Sequence, residues 1–242
     1  GAINGANVTR ASWTFRKAKK FFDIVTYAGN SGTSQTLNHN LGSVPGMMIV
    51  KRYDGAGEWW VYHRANTAAP QTEFLRLYAT NATEDYNGVW NDTAPTSTQF
   101  TVGVDSAINY NTRNYVAYLF AHNDGDGEFG PDSDQDIISC GSYTGNGSTT
   151  GPVINLGWPA QFIMFKNADA SENWQILDSM RNLSTSGYNG LIPNLSAAEQ
   201  SSTSQDWVRQ TATGFSVHHG TAEINGNGNT IIYMAIRAPM IT

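Results

Sequence analysis

Apolar positions in this chain come in short runs, and Gly, Asn, Ser, Thr and Pro clusters separate them. Phe22-Asp23-Ile24-Val25-Thr26-Tyr27 alternates as a half-buried strand does, and Ala28-Gly29-Asn30-Ser31-Gly32 turns it. Trp59–His63, Phe74–Tyr78, Phe100–Val104 and Tyr115–Phe120 predict further strands. The run Met47-Met48-Ile49-Val50 is continuous instead of alternating and stands between turn residues and Lys51, which fits a buried inner strand. No stretch keeps a convincing helical period; Ser196–Gln200, after Pro193, is the one place where a short helix is expected. The pattern predicts an all-β chain of sandwich or jelly-roll type.

The same pattern occurs twice. Asn40-Leu41-Gly42 through Lys51 returns as Asn155-Leu156-Gly157 through Lys166. Asn40 and Asn155, Lys51 and Lys166, Trp59 and Trp174, Phe100 and Phe215, and Tyr118 and Tyr233 all stand 115 residues apart. One register held over so long a stretch indicates a duplicated unit. In the second copy Ile137–Tyr143, Pro159–Asn167, Trp174–Leu177, Phe215–Val217 and Thr230–Arg237 are the expected strands. The stretch Ile3–Phe15 also aligns on Ile108–Phe120, so residues 1–20 are expected to hold the last strand of a preceding domain and a linker. Repeat one is then 21–122, an acidic Gly-rich linker 123–135, and repeat two 136–242, two tandem jelly-roll-like β-sandwiches.

Charge narrows the partners. A net charge of −6, with one small basic cluster at Arg16–Lys20, argues against a nucleic-acid surface. No apolar run is long enough for a membrane-spanning helix. The single cysteine, Cys140, excludes an internal disulfide framework and sits in a strand pattern that predicts a buried thiol. Charged residues are only 14% of the chain, a composition suited to a turn-rich β protein with a neutral polar surface.

Motifs for catalysis are missing. His39, His63, His122, His218 and His219 show no zinc-ligand spacing, and there is no nucleophile elbow or phosphate-binding Gly loop. No cofactor is expected. The carboxylates at Asp124, Asp126, Glu128, Asp132, Asp134 and Asp136 suggest either a cation loop or a solvated turn. Gln135 stands where an EF-hand loop needs its last carboxylate, which favours the turn. Asp54 and Asp169 match between the copies, at a turn where Asp serves the backbone. Trp59 and Trp174, with Lys51 and Lys166, are expected to anchor the two cores. Trp60, Trp90 and Trp207 lack a matching Trp in the other copy; together with His218 and His219 they are the candidate ligand-binding residues, the alternative for each being plain packing.

Ser12–Ala18, Phe21–Tyr27, Leu37–Arg52, Tyr115–Asn123 and Ile137–Ser148 together resemble a family of phage virion proteins, among them tail-fibre-like structural proteins of marine and cyanobacterial phages. The resemblance implies a non-catalytic module of a tail fibre or other exposed appendage, located on the virion or outside the cell. It implies a homo-oligomer, with a trimer favoured, together with other virion proteins as partners. Specificity for the host surface is then expected in the loops Gln71–Tyr86 and Gly187–Thr203. Two alternatives stand beside it: a carbohydrate-binding module that takes a host-surface glycan, and a subunit of a cell-surface filament.

Overall fold

In the computed structural model, residues 11–181, 183, 187–203 and 205–239 are described. The first copy contributes β1 (Phe22–Ala28), β2 (Gln35–Asn38), β3 (Pro45–Arg52), β4 (Trp59–His63), β5 (Glu73–Arg76), β6 (Glu84–Asp85), β7 (Gln99–Val102) and β8 (Asn114–Ala121). The second contributes β9 (Ile138–Thr144), β10 (Val153–Asn155), β11 (Ala160–Asn167), β12 (Gln175–Asp178), β13 (Tyr188–Gly190) and β14 (Gln200–Ser202). It ends with β15 (Val208–Thr211), β16 (Gly214–Val217) and β17 (Thr230–Arg237). Three single-turn helices, α1 (Asn87–Trp90), α2 (Ser106–Asn109) and α3 (Ala222–Asn225), sit in the connections. The fold is all-β and sandwich-like. No helix forms over 196–199, where one was expected; β14 begins at Gln200 instead.

Strand order repeats between the copies. The large sheet of the first runs β1-β8-β3-β4-β5-β6, and that of the second runs β9-β17-β11-β12. Each has a small companion sheet, β2-β7 in the first copy and β10-β16-β15 in the second. Matching pairs of residues close the same turns. Tyr27 and Tyr143 each donate a hydroxyl hydrogen bond, to the carbonyls of Ile108 and Ile224. Asn109 and Asn225, both fully buried at the ends of α2 and α3, accept the N–H of Asn30 and Asn146. Their amide groups donate to the carbonyls of Gly103 and His219.

One feature of the expected register is corrected. Tyr118 pairs with Ile49 on β3, and the residue paired with the matching Met164 on β11 is Met234, not Tyr233. The last strands are therefore offset by one residue more than β3 and β11, and a one-residue slip turns a side chain to the opposite face. Tyr118 faces one buried cluster and Tyr233 a different one.

The faces explain the continuous apolar runs. Phe162 and Met164 of β11 and Ile232, Met234 and Ile236 of β17 share a cluster with Phe22, Met47, Ile49 and Phe120 of the first copy. Their neighbours Ile163, Phe165, Ile231 and Ala235 pack instead with Phe215, Val217 and Trp207. The two large sheets thus lie face against face, and each is covered on its other side by its own small sheet. Strands buried on both sides cannot alternate, which is why β3, β11 and β17 read as unbroken apolar stretches.

Residues 11–17 do not form the expected strand; they run as an extended strap. The remainder of that expectation, residues 1–10, lies outside the described residues. Phe15 packs edge-on against Phe120 at 5.4 Å and Phe162 at 6.3 Å, so a single side chain touches both copies. Trp13 packs edge-on against Phe162 at 5.7 Å and donates its indole N–H to the Asp178 carboxylate at 3.0 Å.

Candidate functional site

The strap borders an open aromatic groove. On its inner side lies a cavity of about 400 Å³, lined by Trp13, Phe15, Ile24, Ile49, Trp59 and Tyr118 among others. Trp59 also lines a second cavity of about 360 Å³, bounded by Leu77, Tyr78, Pro193, Asn194, Leu195 and Ser196. The two share Trp59 as a wall, one reaching towards the strap and the other towards the 193–196 loop. Strand pairing sets the floor of the groove. Tyr118, Ile49 and Val61 stand opposite one another on β8, β3 and β4, and Lys51 stands opposite Trp59. The rings of Phe22, Tyr118 and Trp59 lie nearly parallel, 9° and 14° apart, with 6.4 Å between successive centroids. Phe22 is buried, while Tyr118 and Trp59 are half-buried and reach the surface.

Polar groups line the rim. Lys51 holds its ammonium 5.3 Å from the Trp59 ring centroid and donates to the Gly57 carbonyl at 2.6 Å. Burial and the Glu58 carboxylate together push the Tyr78 phenol up to about 12, so it stays a protonated donor at neutral pH. On the outer side of the strap a further cavity of about 350 Å³ includes Trp13, Asp178, Met180 and Arg181. There the Arg181 guanidinium pairs with Asp178 and lies 5.0 Å from the centre of the Trp13 ring.

The residues expected to bind a ligand lie outside this groove. Trp60, Trp90 and Trp207 are all buried, although Trp60 still borders a separate cavity of about 390 Å³ with Arg52, Glu58, Asp105 and Arg113. Trp60 packs at 4.7 Å against Phe74 beneath the Arg76 guanidinium. Trp90 meets Tyr62 edge-on and donates to the Glu73 carbonyl. Trp207 is sandwiched by Tyr188 at 3.9 Å and His219 at 5.3 Å. His218 bonds the Ser216 hydroxyl, and His219 accepts the N–H of Thr221, so the pair holds its own turn.

The four anchors divide. Trp174 is buried between the two large sheets and donates its indole N–H to the Arg76 carbonyl at 2.9 Å. Lys166 is fully buried and donates to the carbonyls of Asn167 and Ala170. Burial pushes its ammonium down to about 8, against the pull of the Glu172 carboxylate. Trp59 and Lys51 stay half-buried at the groove. Trp13, Tyr118 and Tyr78 were missed as site residues. The alternating aromatics of Trp13-Thr14-Phe15 were the available signal for the strap; Tyr118 was masked by its use as a repeat marker.

Other titratable groups serve the fold. The Asp54 carboxylate accepts the N–H of Asn114, and Asp169 accepts that of Thr230, so each fastens the start of the last strand of its copy. Burial pushes Asp23 up, but Lys17 and the N–H groups of Asn40 and Ile24 outweigh it and hold the carboxyl below its ordinary value. His63 is buried, accepts the N–H of Ala65 at Nδ1, and so donates from Nε2 to the Tyr233 carbonyl of the other copy at 3.0 Å. Burial pushes it down to about 4. Asp136, just past the acidic linker, accepts the N–H groups of the linker's Gly125 and Gly127, while Asp126 and Glu128 pair with Lys20. Cys140 is buried against the Ala121 carbonyl, and burial pushes its thiol up. Among the described residues no three His, Cys, Asp or Glu side chains are grouped to hold a metal ion.

No curated protein and no solved structure matches the chain. A family model described as a domain of unknown function, DUF7483, matches residues 11–238, from the strap through the end of β17, and the chain belongs to that family.

Proposed function

We propose that this DUF7483 chain is a non-catalytic structural module of a phage virion, part of a tail fibre or another exposed appendage that meets the host surface. The reading starts from the resemblance of its long motifs to virion proteins. The observation that carries it further is where the matched polar residues go. Asp54 and Asp169, Asn109 and Asn225, and Tyr27 and Tyr143 all bond to backbone groups within their own copy. Duplication has multiplied the parts that hold strands together. With the two large sheets face to face and the strap across both, the module is suited to bearing force and presenting a surface.

The expected host-contact loops fit this reading unequally. In 71–86, β5 and β6 extend the first sheet, and the Thr83 N–H bonds the Ala168 carbonyl of the second copy. In 187–203, β13 and β14 form a hairpin whose Leu195 is exposed. The second segment is therefore the better presented of the two. Mass spectrometry of purified virions is the test: peptides of this chain are expected at the stoichiometry of an appendage protein. Their absence from particles, with the chain free in the lysate, sinks the proposal. Native mass measurement of the isolated protein is expected to give a trimer.

A further inference from the structure

The aromatic groove lies on a sheet face, not an edge, and that fact selects its ligand. An extended peptide that adds to a sheet needs unpaired backbone N–H and C=O groups, which only an edge strand offers. Here the floor is Tyr118 on β8 and Ile49 on β3, and both strands are paired on each side. Only side chains meet the occupant. The chemistry on offer is a pair of half-buried, nearly parallel rings, Tyr118 and Trp59, bordered by hydrogen-bonding groups. An acyl chain would find no enclosure in so open a channel. A pyranose fits both features, since its axial C–H face is apolar and flat while its hydroxyls point outward around the rim.

We infer that the surface running from Trp13 past Tyr118 and Trp59 to Asn194 binds an oligosaccharide, with sugar rings packed against the Trp59 and Tyr118 side chains. Two adjoining cavities of about 400 and 360 Å³ accommodate several sugar units in line. Lys51 spends one of its three ammonium donors on Gly57, and the others serve a ring hydroxyl or a uronate carboxylate. Asn194 already accepts the Trp174 N–H at its side-chain oxygen and donates to the Asn173 side chain, and so holds the far wall in place. The second copy offers no such site, because its equivalents Trp174 and Lys166 are covered. The inference goes beyond the proposed function: it needs only the groove and survives if the chain proves absent from virions.

The test is titration of the full chain with cellohexaose, chitohexaose and hexagalacturonate, followed by heat or tryptophan fluorescence. Binding of at least one probe is expected, with affinity reduced at least tenfold by Trp59→Ala and by Tyr118→Ala. Tyr110→Ala, an exposed ring outside the groove and outside the expected contact loops, leaves affinity unchanged. Lys51→Met lowers affinity for hexagalacturonate more than for the neutral probes if the acidic sugar is the one bound. A melting scan of each variant separates lost binding from lost folding; if Trp59→Ala unfolds, Trp59→Leu takes its place. Binding that persists unchanged in folded Trp59 and Tyr118 variants overturns the inference. So does failure of all three probes and of a broad glycan array to bind the wild-type chain.

Discussion

Lys51 and Lys166 stand next to last in the matching strands β3 and β11, and their surroundings diverge. Lys51 reaches across a half-open ring to the Gly57 carbonyl. Lys166 is sealed, its ammonium gripped by the carbonyls of Asn167 and Ala170. The next residue makes the difference. Asn167 accepts the N–H groups of Asp169 and Ala170 at its side-chain oxygen and curls the loop back over the lysine. Arg52, in the same place, pairs outward with Asp54 and leaves its loop exposed. Neighbours complete the divergence. The first copy supplies the Arg76 carbonyl to Trp174, and its Thr83 N–H bonds Ala168 beside Lys166. Duplication thus kept strand order while letting burial drift, and the copy left open is the one with a groove.

Truncating the two tryptophans tests this contrast most severely. Trp174→Ala leaves a cavity between the large sheets and removes the indole hydrogen bond to the Arg76 carbonyl, and is expected to cost about 3–5 kcal/mol in denaturant unfolding. Trp59→Ala, half-exposed, is expected to cost about 1 kcal/mol. Equal losses would break the claim that the copies have parted.

Two buried bases, one in each copy, give opposite pH windows. His63 is held at about 4, below the ordinary 6.5, so on acidification the unfolded chain takes up its proton first. Stability then falls from pH 6.5 towards 4, by up to about 3 kcal/mol. His63→Gln, which keeps a donor for Tyr233, should flatten that limb. Lys166 is held at about 8 against 10.5, so its burial cost is complete below pH 8 and fades above it. Stability relative to Lys166→Met should therefore rise between pH 8 and 10.5, again by up to about 3 kcal/mol. Unfolding free energies at fixed ionic strength across pH 4–10.5 measure both limbs.

How much of this was legible follows from what local sequence encodes. Strand positions were legible because turn residues bracket them: Trp59–His63 and Thr230–Arg237 fall where the pattern put them. The roles of Asp54 and Asp169 were legible because their chemistry is local to a turn. Burial of Trp60, Trp90 and Trp207 was not, since the groups covering them come from distant segments such as Phe74, Tyr62 and Tyr188. The same holds for the groove, whose walls come from the strap, β8, β4 and the 193–196 loop. The slip between Tyr118 and Tyr233 escaped because two aromatics in similar strands look alike until their partners are known.

Where the copies have stayed alike, substitutions should act alike. Asn109→Ala and Asn225→Ala each remove a fully buried amide that bridges a turn N–H and a distant carbonyl. Each is expected to cost about 2 kcal/mol, because a fully buried amide is lost and two backbone groups lose their partner. A gap of more than about 1 kcal/mol between them, measured as above, would mean that divergence has reached the turns as well.

The smallest effect makes the finest comparison. Asp54→Ala and Asp169→Ala each leave the first N–H of a final strand without its carboxylate, at the partly solvated edge of the sheet. Water can replace that acceptor, so about 1 kcal/mol is expected for either change. Asp54 also loses its ion pair with Arg52, but an exposed pair of this kind adds little. The two sites lie in different copies and share no partner, so the double variant should lose the sum of the single losses. Asn at either position keeps a side-chain oxygen to accept the bond and should recover most of the loss. If Asp54→Asn recovers it and Asp169→Asn does not, the charge itself matters in the second copy, and even this shared fastening has begun to follow the path of Lys166.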